Sequence, residues 1–171
     1  MYRSKKQKGF TLIELVVIIL GILVATAAPK FIDLSTDARM ATLERMQGSM
    51  RSGTKMIYSK AIIQNKTNGA DMLEVGSVSI SLHSGYPNAG NRYIVNLNAV
   101  NASTDATAIC NVELCGRDNQ TSIPSGVTAT SPGRIGKVFP KRYSWNDECG
   151  VYYLNHADGR EAEIGVETDD C

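Results

Sequence analysis

A single carboxylate stands inside an otherwise apolar run near the N-terminus. Glu14 lies four residues after Phe10, and residues 15–28 carry no charge. The chain before this run is basic and contains no acid, with Arg3, Lys5, Lys6 and Lys8. A carboxylate in a membrane-spanning segment costs on the order of 2.5–3.5 kcal/mol on insertion scales. Glu14 therefore either performs a function or argues against a membrane span.

Four cysteines are candidates for disulfides or for a metal site. They are Cys110, Cys115, Cys149 and Cys171. A basic N-terminus followed by an apolar run is the layout of an export signal, so we expect an oxidising compartment and two disulfides. Three connectivities are possible. We favour Cys110 with Cys115 and Cys149 with Cys171, because these pairs close local loops. The rival interpretation is zinc, but there is no Cys-x-x-Cys, and neither His83 nor His156 has ligand spacing to a cysteine.

The C-terminal segment is acidic. Its acids are Asp158, Glu161, Glu163, Glu167, Asp169 and Asp170. Such a run usually forms a solvated face, and calcium binding is the alternative interpretation. We predict no metal site from it.

The sequence offers no catalytic constellation. It contains no G-x-S-x-G, no H-E-x-x-H, no glycine-rich phosphate loop and no EF-hand loop. Its two histidines lie 72 residues apart, which is a poor basis for acid–base chemistry. We therefore predict that the protein is not an enzyme and needs no cofactor.

Two positions for signal cleavage compete. Ala25-Thr26-Ala27 is a small-residue site of the kind used by ordinary secretory signals, and cleavage there would release a soluble binding domain beginning at Ala28. A cut between Gly9 and Phe10 would instead leave the apolar run on the mature protein. An ordinary signal has no reason to place Glu14 within its apolar region, so we favour the second cut.

The string Gly9-Phe10-Thr11-Leu12-Ile13-Glu14-Leu15-Val16-Val17, after a Lys-rich leader, closely resembles the signal of bacterial type IV prepilins and of type II secretion pseudopilins. The resemblance implies that a prepilin peptidase cuts after Gly9 and methylates Phe10. It also implies that Glu14 takes part in assembly, and that separate assembly proteins polymerise the chain into a surface filament. The favoured pairing of Cys149 with Cys171 also resembles the disulfide that bounds the C-terminal loop of these pilins.

A narrower resemblance points to the mannose-sensitive haemagglutinin (MSHA) pilins. It rests on Thr26–Phe31, Asp37–Arg39, Ala41–Leu43, Tyr58–Ala61 and Gly85–Pro87. The likeness is dense through residue 63 and thin afterwards. One departure concerns the run between Glu14 and Pro29, which is two residues shorter than usual. Two residues turn a helix by roughly 200°, which changes the phase of the packing face relative to Glu14 and with it the expected filament register.

The residue pattern predicts one long helix from Leu12 to about Ile63, interrupted or kinked at Pro29. Beyond Pro29, apolar and small residues recur at mostly three to four residue spacing and form a stripe. Its members are Phe31, Leu34, Ala38, Ala41, Met46, Met50, Gly53, Ile57 and Ala61. Gly48 and Gly53 are poor helix residues unless a close neighbour, such as a packed sheet, needs the space.

The rest of the chain has strand character. The predicted strands are Val75–Leu82, Arg92–Leu97, Ile109–Leu114, Gly150–Leu154 and Glu161–Val166, and residues 117–134 are predicted as a surface loop. The last two strands flank Asp158-Gly159, a strong hairpin signal. We therefore predict an α+β fold: a long N-terminal helix, its apolar half protruding, packed on an antiparallel sheet head with disulfides.

These observations divide the chain into a leader peptide at 1–9, an apolar transmembrane or assembly helix at 10–29, an amphipathic helix at 30–66 and a β-sheet head at 67–171. With 171 residues and a formal charge of +1, the chain has ordinary globular composition and no basic footprint for nucleic acid. We predict an MSHA-like pilus subunit that self-assembles, held in the inner membrane before assembly and extracellular afterwards. A minor pilin or a pseudopilin is the nearest alternative.

Overall fold

The structure is a computed structural model, and it describes residues 11–90, 93, 101–102, 107–128 and 132–171. The predicted leader and the cut at Gly9 and Phe10 lie outside these residues. The predicted strand Arg92–Leu97 also lies outside them except for Tyr93, whose side chain is buried. The chain divides into two compact units, Met1–Ala38 and Arg39–Cys171.

Within the described residues, one long helix precedes eight strands in chain order. The helix is α1 (Leu12–Ile63). The strands are β1 (Ala70–Val75), β2 (Val78–His83), β3 (Tyr86–Pro87), β4 (Asn101–Ala102), β5 (Leu114–Gln120), β6 (Pro132–Pro140), β7 (Gly150–His156) and β8 (Glu163–Glu167). The predicted α+β class is confirmed.

Helix α1 has both predicted ends but no interruption. It continues through Pro29, so the predicted interruption is wrong, because losing one backbone N–H does not end a helix whose other hydrogen bonds persist. A kink at Pro29 stays a prediction. At its C-terminus Lys66 donates its backbone N–H to the Ala61 carbonyl, and Asn65 donates to the Ile62 carbonyl. Asn65 has a φ of 60°, so the helix ends in a Schellman motif with asparagine in the left-handed position.

The buried face of α1 in the second unit differs from the predicted stripe. Its buried residues are Leu43, Met50, Thr54, Ile57 and Ala61. Ala41 is exposed instead, and Leu43 was not predicted. Leu34 and Ala38, which belong to the first unit, are exposed as well. Helical spacing identifies a possible apolar face, but burial also needs a packing partner, which the spacing cannot supply.

Gly48 has no close neighbour, contrary to expectation. A Cβ built there meets nothing within 4 Å. We expect Gly48→Ala to raise the free energy of unfolding by about 0.5–1 kcal/mol, because alanine restricts the unfolded chain more than glycine does. Urea unfolding of the full chain in detergent measures this change.

Gly76→Ala is the matched control for that substitution. A Cβ at Gly76 also meets nothing within 4 Å, but this residue has a φ of 63°, which alanine rarely adopts. The control should therefore lower stability. A loss of stability in Gly48→Ala would contradict the account of an open helical position.

The strands form two sheets. β1, β2 and β3 form an antiparallel sheet, and the second sheet has the order β4-β5-β6-β7-β8. Within the second sheet the short β4 pairs parallel with β5, and the remaining pairs are antiparallel. The predicted hairpin around Asp158-Gly159 is confirmed by the pairing of β7 with β8.

Two strand predictions and one loop prediction need correction. Val75–Leu82 is not one strand, because Val75 pairs with Val78 across a two-residue turn that joins β1 to β2. Gly76 provides the positive φ that such hairpin turns require. The strand β1 was missed altogether.

Ile109–Leu114 is not a strand, because a disulfide joins Cys110 to Cys115 with their Cα atoms 5.7 Å apart. Five extended residues would separate those atoms by about 17 Å. The strand begins only at Leu114. Residues 117–134 are likewise not all loop, since β5 and β6 enter both ends of this range. Pairing with neighbouring strands outweighs the polar and turn-forming residues there.

The two faces of the five-stranded sheet carry separate cores. Val138, Val151 and Tyr153 pack in one cluster with Met50 and Ile57 of α1. The second cluster contains Cys110, Cys115, Ile135, Phe139, Trp145 and Leu154. Because successive strand residues point to opposite faces, this second core lies on the face turned away from α1. The second unit is thus a helix packed on one side of a sheet.

Candidate assembly site

The start of α1 exposes apolar side chains on every side. Eleven large apolar residues between positions 12 and 24 are 46–79% exposed. They are Leu12, Ile13, Leu15, Val16, Val17, Ile18, Ile19, Leu20, Ile22, Leu23 and Val24. A helix that is apolar all round is stable only when other apolar groups surround it. This segment, residues 12–24, is the candidate assembly segment.

None of the helices in the described part of the chain meets the length and apolarity needed to cross a membrane.

Glu14 lies in the first turn of the assembly segment and forms a capping box with Thr11. Its Oε2 accepts hydrogen bonds from the Thr11 backbone N–H and hydroxyl, both at 2.9 Å. The Glu14 backbone N–H in turn points to the Thr11 Oγ1 at 3.4 Å. These reciprocal bonds satisfy two donors at the helix start that would otherwise lack partners. The Glu14 carboxylate therefore has two roles: it caps the start of the helix, and it places a negative charge in the apolar segment.

Thr11 was not predicted as a site residue. The signal for it is present, because Thr11-Leu12-Ile13-Glu14 is the T-x-x-E pattern that precedes an apolar run in a capping box. The rival secretory site, Ala25-Thr26-Ala27, lies inside the continuous helix α1.

The four cysteines form two disulfides. Cys110 is bonded to Cys115 and Cys149 to Cys171, which are the pairs favoured by the sequence. The C-terminal disulfide is supported by Arg39, which donates to the Cys171 carbonyl at 2.6 Å. The Tyr143 hydroxyl donates to the same oxygen at 3.0 Å. The residue that closes the 22-residue loop is therefore held by α1 as well as by its disulfide.

The acidic C-terminal residues are distributed among separate partners. The Glu163 carboxylate accepts a hydrogen bond from the Tyr152 hydroxyl at 2.7 Å, and the Asp170 carboxylate accepts one from the Glu148 backbone N–H at 2.9 Å. The Asp158 Oδ2 lies 3.5 Å from the Arg160 Nε. Among residues the structure describes, no three His, Cys, Asp or Glu side chains form a group that could hold a metal ion.

A buried ion pair supports the C-terminal loop. Lys137 is fully buried, and its Nζ donates to Glu167 Oε2, to the Asp147 carbonyl at 2.7 Å and to the Trp145 carbonyl at 3.4 Å. Burial raises the pKa of Glu167, and Glu148 and Asp169 raise it further, while Lys137 opposes them. Sequence patterns gave no sign of this pair, because no strand was predicted around Lys137 and its partner lies 30 positions further along the chain.

Comparison with known proteins gives one informative match. Over 63 residues the chain is 44% identical to the type IV narrow pilus major component PilA5 of Thermus thermophilus. The chain has a type IV pilin homologue. The match supports the type IV pilin family, not the narrower MSHA group. It covers 36% of this chain and 51% of PilA5, so the chain spans about half the length of this curated relative. No family model and no solved structure matches the chain.

Proposed function

We propose that the chain is a structural subunit of a type IV, MSHA-like pilus, polymerised into a surface filament for adhesion. The observation that carries this proposal is the exposed assembly segment, whose side chains are apolar except for the acid Glu14. The pilin homologue supports a subunit role rather than an enzymatic one. The proposed partners are other copies of the chain, a prepilin peptidase and the assembly machinery.

Processing at Gly9 prepares the segment for assembly. The peptidase removes the basic leader, leaving 14 of the 18 basic side chains beside 17 acidic ones, and methylates the new N-terminus at Phe10. Before assembly the apolar segment resides at the inner membrane, with the Lys-rich leader kept cytoplasmic by the positive-inside preference. Thr11 and Glu14 both remain after this cut, so the capping box is preserved. Cleavage after Ala27 would remove it.

Burial of the assembly segment stabilises the filament. Full burial of a large apolar side chain contributes roughly 1.5–3 kcal/mol relative to exposure to water, and eleven such side chains are exposed here. Packing them among the same segments of other copies keeps this surface out of water after the segment leaves the bilayer. A head-to-tail contact that does not close on itself extends into a helical fibre.

Glu14 pairs with the Phe10 amine of a neighbouring subunit. An unpaired carboxylate among apolar side chains is strongly unfavourable, and a cationic amine placed beside it offsets that cost. This contact also fixes the axial position of each new subunit. The role of Glu14 therefore has two separable parts, its charge in assembly and its cap at the helix start.

Glu14→Gln and Glu14→Ala separate these parts. Glutamine can keep the capping box without the charge, whereas alanine loses both. We expect both variants to be processed at Gly9 and both to produce few or no filaments in the native host. The measurement is the yield of sheared filaments, with mature subunit quantified by immunoblot. Normal filaments from Glu14→Gln would show that the cap suffices and would overturn the pairing.

A further inference from the structure

A charged cleft of about 510 Å³ opens beside α1 in the second unit. Its helix wall contains Arg51, Lys55 and Tyr58, which share one helical face by their spacing. Glu161 and Glu163, from the start of β8 and the residues before it, also line the cleft. Arg51 donates to the Ile164 carbonyl at 3.1 Å and Glu163 accepts from the Tyr152 hydroxyl, so among the described contacts Lys55 and Glu161 are the charges without such a bond to the cleft's own walls. The volume of the cleft is within the usual range for binding sites.

A stacked aromatic pair forms the apolar part of the charged cleft. The rings of Tyr58 and Tyr86 lie 4.3 Å apart between centroids, at an interplanar angle of 12°. Burial raises the pKa of Tyr86 to about 12, with Tyr58 and Glu161 adding to the effect, so its phenol is neutral at neutral pH. The pair offers an apolar surface between charged walls.

On the other face of the sheet, a rigid loop holds an apolar side chain in solvent. Residues 109–115, the stapled loop, are closed by the Cys110–Cys115 disulfide. Three backbone hydrogen bonds of 2.8–3.0 Å tie this loop to residues 141–143. Ile109 at its start is nevertheless 68% exposed. A loop ordered in advance loses little conformational entropy when it binds.

The charges around the stapled loop complement those of the charged cleft. Glu113 within the loop is exposed, as are Lys141 and Arg142 beside it. Arg142 has a φ of 79°, an uncommon conformation for a residue with a side chain. The loop packs on the core turned away from α1, whereas the cleft opens beside α1. The two surfaces therefore do not compete for the same face of the sheet.

We propose that the stapled loop of one copy docks in the charged cleft of the next. Ile109 then packs on the Tyr58–Tyr86 pair, Lys141 and Arg142 approach the carboxylate wall, and Glu113 approaches the cationic wall. Contact between two different faces is heterologous and extends a filament instead of closing a dimer. This inference rests on the proposed function, since it names a head-to-head contact within the same polymer.

Photo-cross-linking tests the contact directly. A photoreactive amino acid replaces Ile109 in the full chain expressed in the native host, and sheared filaments are irradiated and digested. We expect inter-subunit cross-links to residues 51–58 or 161–164. The matched control places the same amino acid at Val78, which is apolar and 58% exposed on β2. The control should give no cross-links to the charged cleft.

Charge reversal gives an independent test. Glu161→Lys and Lys141→Glu should each lower filament yield at least about tenfold, because each places like charges opposite one another. The double variant should recover to within about threefold of the unmodified chain. Glu74→Lys, at an exposed position on β1, is the control and should leave the yield unchanged.

The outcomes distinguish this contact from the proposed function. Filaments with a mature Phe10 terminus but with Ile109 cross-links elsewhere, or none, would overturn the docking alone. Failure of the double variant to recover, with each single variant impaired and properly folded, would also overturn it. Absence of filaments from the unmodified chain would overturn both proposals.

Discussion

Lys137→Met is expected to lower the free energy of unfolding by about 3–5 kcal/mol at about pH 7. The substitution keeps an unbranched apolar stem but removes an ammonium group whose three acceptors are Glu167 Oε2 and the Trp145 and Asp147 carbonyls. Glu167 is 8% exposed, so the loss of its cation leaves a buried carboxylate unpaired. Chemical unfolding of the full chain in detergent measures the change.

This loss should depend on pH in a defined direction. The pKa of Glu167 is raised above its ordinary value of 4.5, chiefly by burial. A group whose pKa is higher in the folded chain contributes most stability below its unfolded pKa, and that stability is lost as pH rises through the folded pKa. Removing Lys137 raises this pKa further. The deficit of Lys137→Met should therefore be smaller at about pH 4 than at about pH 7.

The double variant Lys137→Met with Glu167→Gln is the control. Glutamine is similar in size to the protonated acid but cannot ionise, so the pH-dependent part of the deficit should disappear. Equal deficits for Lys137→Met at both pH values would contradict the assignment. So would a double variant that retains the pH dependence of the single one.

Loss of the C-terminal disulfide is the second large effect. We expect the paired replacement Cys149→Ser with Cys171→Ser to lower the free energy of unfolding by about 3 kcal/mol, because the bond closes a loop with a sequence separation of 22. The contacts of Arg39 and Tyr143 with the Cys171 carbonyl then lose their covalent support. Unfolding midpoints of the oxidised full chain provide the measurement.

The other disulfide is the matched comparison. Cys110 and Cys115 are separated by 5 positions, for which the chain-entropy model gives about 2 kcal/mol. Cys110→Ser with Cys115→Ser should therefore destabilise the chain less. A larger loss from the short loop than from the long one would contradict the loop-closure explanation. The short-loop variant also loses the bond that orders the loop around Ile109. Its filament yield should therefore fall by more than its loss of stability alone would cause.

The long helix and the α+β class were predictable because their signals are local. Leu12 to Ile63 repeats apolar and small residues at helical spacing, and Asp158-Gly159 marks a hairpin by its own backbone preferences. Strand β6 was missed because Pro132, Gly133 and Gly136 read as turn residues, while its stability comes from pairing with β5 and β7. Pairing of that kind joins distant residues and leaves no local pattern.

The candidate site was partly predictable for the same reason. Glu14 is conspicuous as one charge in an apolar run, and the T-x-x-E pattern that caps the helix is equally local. The charged cleft was not predictable, since it joins Tyr58 of α1 with Tyr86 and Glu161 from the later chain. The ion pair of Lys137 and Glu167 likewise links residues 30 positions apart. Only the folded chain brings such groups together.

The N-terminus of the chain purified from its native host tests the central claim most directly. Intact mass and N-terminal sequencing should give a mature protein that begins with N-methylated Phe10 and therefore retains Thr11, Glu14 and the whole assembly segment. A protein that begins at Ala28 would have lost all of them. That result would contradict the account of a filament subunit and would indicate a secreted soluble domain.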